Sequence, residues 1–245
     1  MGAEADPLRC LLLKLRARDL VSEDEEAVLR EAAEDVVEFG AGKTIIRAGL
    51  PLSHSTLVAD GIVARTKDLS GGERQIQDLH LAGDFTDLHG FLLKRLDHDI
   101  VALTRTRIVP VPHERLRAIT ERQPHLARLL WLMTLVDASI QREKILTIGR
   151  RPAIARVAHL MCELAVRFGL VGLADEAGFA LPITQLDIAD ATGLTSVHVN
   201  RMLRQLRDDG LMTFRGGRVE IHDRDGLQRV AEFDAGYLYL ERRPR

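Results

Sequence analysis

Residues 183–206 read ITQLDIADATGLTSVHVNRMLRQL, and the fold of the carboxyl-terminal region follows from four of them. Thr184 can cap the start of a helix, and Asp187 lies near the positive end of that helix. Gly193 interrupts the helix at a point where a left-handed backbone is needed. Thr195 then offers a cap for a second helix. The stretch therefore predicts two helices joined by a tight turn.

The spacing of the small and apolar residues identifies the kind of helix pair. Ala189 falls where two helices cross closely, Gly193 follows four residues later, and Val199 lies six residues after that as an apolar anchor. This order is typical of a helix-turn-helix, whereas an ordinary helical hairpin requires neither the glycine nor both caps. We expect the second helix to extend to about Asp208 and Gly210 to close it.

A helix-turn-helix lays the first part of its second helix in the major groove of DNA. Arg201 can bond bidentately to guanine O6 and N7, and Val197 can contact a thymine methyl group. The remaining candidates for base or phosphate contact are Thr195, Ser196, His198, Asn200 and Arg204. A charged surface helix is the alternative, but it does not explain the caps, the turn and the apolar spacing together.

Two short strand-like segments follow between Leu211 and Ile221, around Arg215-Gly-Gly-Arg218. Paired glycines suit a tight hairpin, because both central residues need positive φ. We expect a wing whose tip arginines, Arg215 and Arg218, contact the DNA backbone. The formal net charge of the whole chain is −2, so the attraction to DNA must be local. The expected basic excess consists of Arg201, Arg204, Arg207, Arg215 and Arg218 against Asp208 and Asp209.

The segment from Val36 to Val111 has a different character, because short apolar runs alternate with glycine-containing turns. Several short strands at this spacing predict a β-sandwich or β-roll. The expected strands are residues 43–46, 56–59, 62–66, 74–79, 100–103 and 107–111. Helices are predicted before it, the second of them with a capping-box signature at Ser22 and Glu25.

A long helix is predicted from Pro124 to Gly149, with apolar residues at heptad spacing. One apolar face is also compatible with packing on the β domain. We favour a dimer helix, because the segment is long and lies between two domains. The expected dimer contacts are Leu126, Leu129, Leu130, Met133, Val136 and Ile140.

A β-roll, a long helix and a winged helix-turn-helix in this order resemble the Crp/Fnr superfamily of bacterial transcription regulators. The resemblance covers about Val36 to Ile221 and is most specific between Thr184 and Leu206. It includes Leu81-Ala-Gly-Asp-Phe85, which is similar to a glycine turn of the family.

The resemblance implies an α+β fold in three parts: an N-terminal β-roll domain at 1–123, a dimerisation helix at 124–149 and a winged helix-turn-helix domain at 150–245. It also implies a homodimer on a palindromic double-stranded DNA site, and it suggests RNA polymerase as a further partner. Arg201 matches the guanine-reading arginine of the family. Val197 falls where well-studied members carry a glutamate that accepts from cytosine, so we expect a different half-site at that base pair.

The β-roll departs from the cyclic-nucleotide-binding members of the family. Their phosphate cassette, Gly-Glu and further on Arg-Ser-Ala, aligns here with Asp87-Leu88 and His98-Asp99. Acidic side chains repel a phosphate that cations should hold. An effector pocket at Asp87, Leu88, His98 and Asp99 is therefore not expected to bind cAMP or cGMP.

The cysteine and histidine content argues against bound metals. Cys10 and Cys162 are the only cysteines, too few for an iron–sulfur cluster or a disulfide framework, and both are expected in the core. The histidines of the first domain match no tight metal motif. We therefore expect no cofactor and no metal site.

The sequence contains no P-loop, dinucleotide fingerprint or hydrolase motif, so an enzyme is not expected. The alternative to a transcription regulator is an effector-binding regulatory module without direct DNA reading. Arg201 on a correctly capped helix argues against that alternative. The chain has no run of about 18 apolar residues and no signal-peptide pattern, which predicts a cytoplasmic protein without a membrane span.

Overall fold

The computed structural model describes residues 6–245, and the chain divides into two compact units. The first unit contains the residues up to Thr66, Leu79–Asp137 and Leu240–Arg245. The second unit contains Lys67–Asp78 and Ala138–Tyr239. The mixed architecture agrees with the predicted α+β class.

The first unit begins with α1 (Arg9–Arg16) and α2 (Glu23–Ala32). A complete capping box starts α2: the Ser22 hydroxyl accepts from the Glu25 N–H at 3.2 Å, and the Glu25 carboxylate accepts from the Ser22 N–H at 3.0 Å. The capping-box prediction is confirmed.

The β-roll consists of two antiparallel sheets. The three-stranded sheet has the order β1 (Val37–Phe39), β7 (Thr106–Pro112), β3 (His54–Asp60). The four-stranded sheet has the order β2 (Thr44–Ile46), β6 (Asp99–Ala102), β4 (Val63–Asp68), β5 (Arg74–His80). All six predicted strands are present. The prediction from the sequence missed β1, an edge strand of three residues of which Val37 and Glu38 are exposed.

One apolar core joins the helices of this unit to the three-stranded sheet. Besides α1 and α2 it includes α4 (His113–Arg122) and the first half of α5 (Pro124–Arg150), while the short helix α3 (Gly90–Leu93) follows the turn at Gly83. Gly83 has φ +86°, and a Cβ there would lie 2.6 Å from the Cys10 backbone. Only glycine lets α1 approach that turn so closely.

The start of α5 is held to the N-terminal helices by a polar cluster. His125 Nδ1 lies 2.5 Å from Glu25 Oε1, and His125 Nε2 lies 3.2 Å from Asp19 Oδ2. The imidazole therefore bridges two carboxylates of the N-terminal segment, Asp19 between α1 and α2 and Glu25 in the first turn of α2.

The predicted dimer contacts on α5 are wrong, although the helix lies where it was predicted. Leucines 126, 129 and 130 belong to the core of the first unit, and Met133 packs against that core. Val136 and Ile140 are also buried within the chain. Heptad periodicity identifies an apolar face but not what covers it. Here the leucine-rich face is covered by the β-roll side of the same chain.

The second unit contains the end of α5 and a series of shorter elements. In chain order these are α6 (Ala153–Leu170), β8 (Gly178–Ala180), α7 (Gln185–Thr192), α8 (Ser196–Asp208), β9 (Met212–Arg215), β10 (Arg218–Ile221) and α9 (Arg224–Ala231). The strands form one sheet of order β8-β10-β9. Cys162 on α6 is buried, as is Cys10 on α1, so both core predictions are confirmed.

The segment after the wing, which the sequence left unassigned, packs against α6. The Tyr237 hydroxyl donates to Glu163 at 2.8 Å, and the His159 ring lies against the rings of Phe233 and Tyr237. Among the described helices, none has the length and apolarity needed to cross a bilayer.

Candidate nucleic-acid interface and β-roll interior

Both helices of the predicted motif begin at threonine caps. The Thr184 hydroxyl accepts from the Asp187 N–H at 3.1 Å, and the Asp187 carboxylate accepts from the Thr184 N–H at 2.9 Å. The Thr195 hydroxyl accepts from the His198 N–H at 3.3 Å and lies 3.1 Å from His198 Nδ1. Each cap stabilises its helix by about 1 kcal/mol. The sequence predicted both caps correctly.

The turn between α7 and α8 depends on one glycine. Gly193 has φ +64° and ψ 38°, and its N–H bonds to the Ala189 carbonyl oxygen, which also accepts from Leu194 at 3.1 Å. A Cβ at Gly193 would lie 3.2 Å from the Ile148 side chain. The inward face of α8 is buried as predicted, through Val199, Met202, Leu203 and Leu206.

The opposite face of α8 is exposed. It presents Ser196, Val197, His198, Asn200, Arg201 and Arg204, in agreement with the outward positions expected from the sequence. Val197 is 77% exposed. Within residues 6–245, neither Arg201 nor Arg204 has an acidic partner. Two unpaired cations on the exposed face of a capped helix, Arg201 in its first half and Arg204 further along, suit the major groove of DNA.

The wing is a two-residue hairpin, as predicted. Gly216 and Gly217 have φ +60° and +73°, the conformation that paired glycines allow, and Arg215 is exposed beside them. Arg218 donates to Asp175 at 3.0 Å, so an acidic neighbour compensates its charge.

The basic patch is therefore smaller than the sequence predicted. Arg207 pairs with Asp208 at 2.9 Å, and Arg218 pairs with Asp175. The arginines left without an acidic partner in the described part of this surface are Arg201, Arg204 and Arg215. No sequence pattern indicated Asp175, because it lies in a loop 43 residues before Arg218 in the chain.

The candidate effector pocket has a different arrangement from the one expected. Asp87 is fully buried; its Oδ1 accepts from the Thr56 N–H at 2.6 Å and from the Thr86 hydroxyl at 3.3 Å. No other described residue bonds to its Oδ2. Burial raises the pKa of Asp87 to about 7. At neutral pH this carboxyl is therefore partly protonated, so it is not the fixed negative charge that the sequence suggested.

The other three predicted pocket residues are engaged elsewhere. Leu88 packs against the leucine-rich core, and His98 Nδ1 lies 2.9 Å from Asp97 Oδ1. Asp99 accepts from the Ala48 N–H at 2.7 Å. The predicted pocket is corrected accordingly: the two acidic residues bond to backbone N–H groups of different segments and form no common ligand set.

Sequence reasoning missed Arg65, a buried cation in the β-roll. Its guanidinium donates to the Thr86 carbonyl oxygen at 2.9 Å and to Asp137 at 3.2 Å. An arginine within a strand pattern is ordinarily solvated, so the sequence offered no sign that this one is buried.

Two family models match the chain: the cyclic nucleotide-binding domain at residues 36–123 and the Crp-like helix-turn-helix domain at residues 155–230. The nitrogen fixation regulation protein FixK of Azorhizobium caulinodans is 30% identical over 175 residues, which cover 71% of this chain and 70% of FixK. The transcriptional activator protein FnrL of Cereibacter sphaeroides is 29% identical over 199 residues, or 80% of this chain and 79% of FnrL. The solved structure of FixK2 from Bradyrhizobium japonicum superposes with a TM-score of 0.73 at 28% identity, covering 83% of this chain and 99% of FixK2.

A β-roll, a long helix and a winged helix-turn-helix with an exposed basic face define a DNA-binding transcription regulator. The chain belongs to the Crp/Fnr family of bacterial transcription regulators. Members of this family bind DNA and function as dimers, and they are regulators and not enzymes.

The buried carboxyl of Asp87 makes a pH-dependent contribution to stability. Its pKa of about 7 in the folded chain exceeds its usual value of 3.8, so the folded chain holds the proton more tightly. The free energy of unfolding therefore falls as the pH rises from about 4 to about 7. The Asn side chain of Asp87→Asn cannot ionise, so we expect its free energy of unfolding not to fall in this range for this reason. Between pH 4 and pH 8 the free energy of unfolding of Asp87→Asn should rise relative to that of the wild type by at most about 4 kcal/mol, since each pH unit between the two pKa values contributes about 1.4 kcal/mol.

Urea unfolding at a series of pH values measures this difference. Asp60→Asn, at the exposed end of β3, is the matched control for loss of a carboxylate. Parallel pH profiles for the wild type and Asp87→Asn would contradict the assignment of a raised pKa to Asp87.

Proposed function

We propose that two copies of this chain pair along α5 and read a palindromic DNA site, each with the first half of its α8. Two recognition helices related by a two-fold axis fit half-sites about one helical turn, roughly 34 Å, apart. The observation that carries the proposal is the exposed face of α8, where Arg201 and Arg204 lack an acidic partner among the described residues. An effector-binding module without DNA contact gives no reason for such a face.

In this arrangement Arg201 reads a guanine through O6 and N7, and Arg204 and Arg215 contact phosphates. Ser196, Asn200 and the Val197 side chain face the bases beside it. Valine cannot accept a hydrogen bond from cytosine, so the half-site differs at that base pair from the family consensus read by a glutamate.

The proposed dimer contact is an exposed stripe on α5, separate from the buried leucine face of the same helix. Trp131, Leu135 and Ile145 are 66%, 50% and 73% exposed. Their spacing continues through Ala138 and Arg142 in steps of three and four residues, the pattern of a coiled-coil seam. Burying large apolar side chains against a second copy is favourable. This stripe replaces the leucine seam that the sequence suggested.

The β-roll serves as a scaffold or takes an effector other than a cyclic nucleotide. Asp87 and Asp99 are bonded to backbone N–H groups, and Arg65 is already bonded to Asp137 and Thr86. None of these three described side chains therefore offers a free cation to hold a cyclic phosphate. Two buried cysteines per chain do not supply an iron–sulfur cluster either.

The relative FnrL favours activation of transcription, because it is a transcriptional activator protein. By analogy, this regulator activates transcription in the bacterial cytoplasm, and RNA polymerase is the partner that bound dimers would engage.

Binding-site selection from a random duplex pool tests the reading of DNA. The wild-type protein, without added ligand, should enrich a palindrome with a guanine in each half-site. Arg201→Ala should lose that guanine, since one bidentate contact discriminates by about 1–3 kcal/mol, or roughly 5- to 150-fold. Arg204→Ala is the matched control: it should weaken binding to all sequences alike and leave the consensus unchanged.

A pool without enrichment would contradict the proposal, as would an Arg201→Ala protein that keeps the guanine. Recovery of the usual family consensus unchanged would refute the altered half-site assigned to Val197.

The proposed dimer stripe is tested by placing a charge in it. Leu135→Glu should weaken the dimer at least thirtyfold, since burying an unpaired carboxylate costs about 2 kcal/mol or more. Sedimentation measures the change. Trp131, the only tryptophan of the chain, reports it independently through a red shift of its emission. The control is Leu92→Glu, at a position that is 77% exposed on α3. A dimer unaffected by Leu135→Glu would show that the stripe is not the interface.

A further inference from the structure

A hydrogen bond between α7 and α8 holds one of the DNA-facing side chains. Asn200 Nδ2 donates to Gln185 Oε1 at 3.2 Å. Gln185 is the first residue of α7 and is half-buried, whereas Asn200 is exposed on the fifth position of α8. Of the residues that the structure describes, Gln185 alone bonds to the Asn200 amide.

The bond determines which hydrogen-bonding groups Asn200 offers to DNA. An asparagine amide has one oxygen that accepts and two N–H groups that donate. With the N–H trans to the oxygen engaged by Gln185, the oxygen and the N–H cis to it remain side by side. An adenine presents the complementary pair in the major groove, an N7 acceptor next to an N6 donor.

The same bond opposes the other orientation of the amide. If the Asn200 amide rotated by half a turn, its oxygen would face the Gln185 oxygen, and the two acceptors would repel each other. Gln185 must then rotate as well and donate through its nitrogen. Whether the side chain at position 185 accepts or donates the hydrogen bond therefore sets the orientation of the amide that Asn200 presents to DNA.

The surroundings of the pair place it at the DNA surface. A cleft of about 290 Å³ next to Gln185 and Asn200 is lined by Arg204 and Arg207 of α8 and by Arg215 of the wing. Guanidinium groups on both sides of a cleft suit a DNA phosphate. A phosphate held there would bring the bases to the Asn200 amide and exclude water from it.

We propose that Gln185 is a positioning residue that makes Asn200 prefer adenine, at a base pair distinct from the guanine read by Arg201. The inference rests on the proposed function, since it requires α8 to lie in the major groove. It concerns specificity alone, because Gln185 acts on the base through Asn200.

The test compares an acceptor with a donor at position 185 in the full-length dimer. Glu accepts only and Lys donates only, so Gln185→Glu should keep the adenine preference and Gln185→Lys should lose it. Asn200→Ala should lose the preference at the same base pair. The measured quantity is the ratio of Kd values for duplexes that carry each of the four bases at that position, expected to be about tenfold in favour of adenine for the wild type and for Gln185→Glu.

The overall affinity for DNA should fall in Gln185→Glu, which keeps the adenine preference, and rise in Gln185→Lys, which loses it. The effect on affinity is thereby separated from the effect on base preference. Added negative charge weakens binding to every duplex and added positive charge strengthens it. Gln205→Glu and Gln205→Lys, on an exposed position of α8 outside the cleft, give the size of this charge effect without touching the pair. A purely structural role of Gln185 would change affinity and leave the base ratios unaltered.

Three results would overturn the proposal: a Gln185→Lys protein with the wild-type adenine ratio, an Asn200→Ala protein that keeps it, or a wild-type protein with no adenine preference that depends on Asn200. If the wild type still selects the guanine that depends on Arg201, such a result removes this inference alone. If no duplex sequence is selected, the proposed function fails with it.

Discussion

The turn at Gly193 is the constraint on which the DNA-reading surface depends. Its left-handed backbone brings two N–H groups, its own and that of Leu194, to the single carbonyl oxygen of Ala189. Any other residue would strain the backbone and press on Ile148. The direction in which α8 leaves α7 is fixed in this way. That direction brings Asn200 within hydrogen-bond reach of α7 while the apolar face of α8 remains buried.

The motif was predictable because its determinants are local. A threonine cap acts on the N–H group three residues later, and the glycine turn acts over four residues, so Thr184, Gly193 and Thr195 could be interpreted without knowledge of the rest of the chain. The same holds for the Gly-Gly hairpin of the wing and for the capping box of α2. The six predicted strands of the β-roll followed from short apolar runs and turn residues, whereas the three residues of β1 at an exposed sheet edge were too few to identify a strand.

What the sequence could not supply is the identity of the surface that faces each side chain. The apolar residues of α5 predicted a helix correctly, but the choice between Leu129 and Trp131 as the outward residue depends on the β-roll packed against it. The burial of Arg65 and Asp87 depends on strands that are distant in the chain. The neutralisation of the Arg218 charge by the Asp175 carboxylate also depends on a segment that is distant in the chain. Long-range contacts thus decided which candidate residues remain available for DNA, for a second copy or for an effector.

The central claim is that Arg201 of each α8 binds the edge of a guanine in the major groove. Methylation interference on a selected duplex tests it most directly, because a methyl group on guanine N7 occupies the atom that the guanidinium must reach. The account predicts that methylation of one guanine in each half-site, about one helical turn apart, prevents the wild-type protein from binding the duplex. Binding by Arg201→Ala should not be affected by this methylation. Equal methylation of every guanine in the bound and the free duplex would contradict the account.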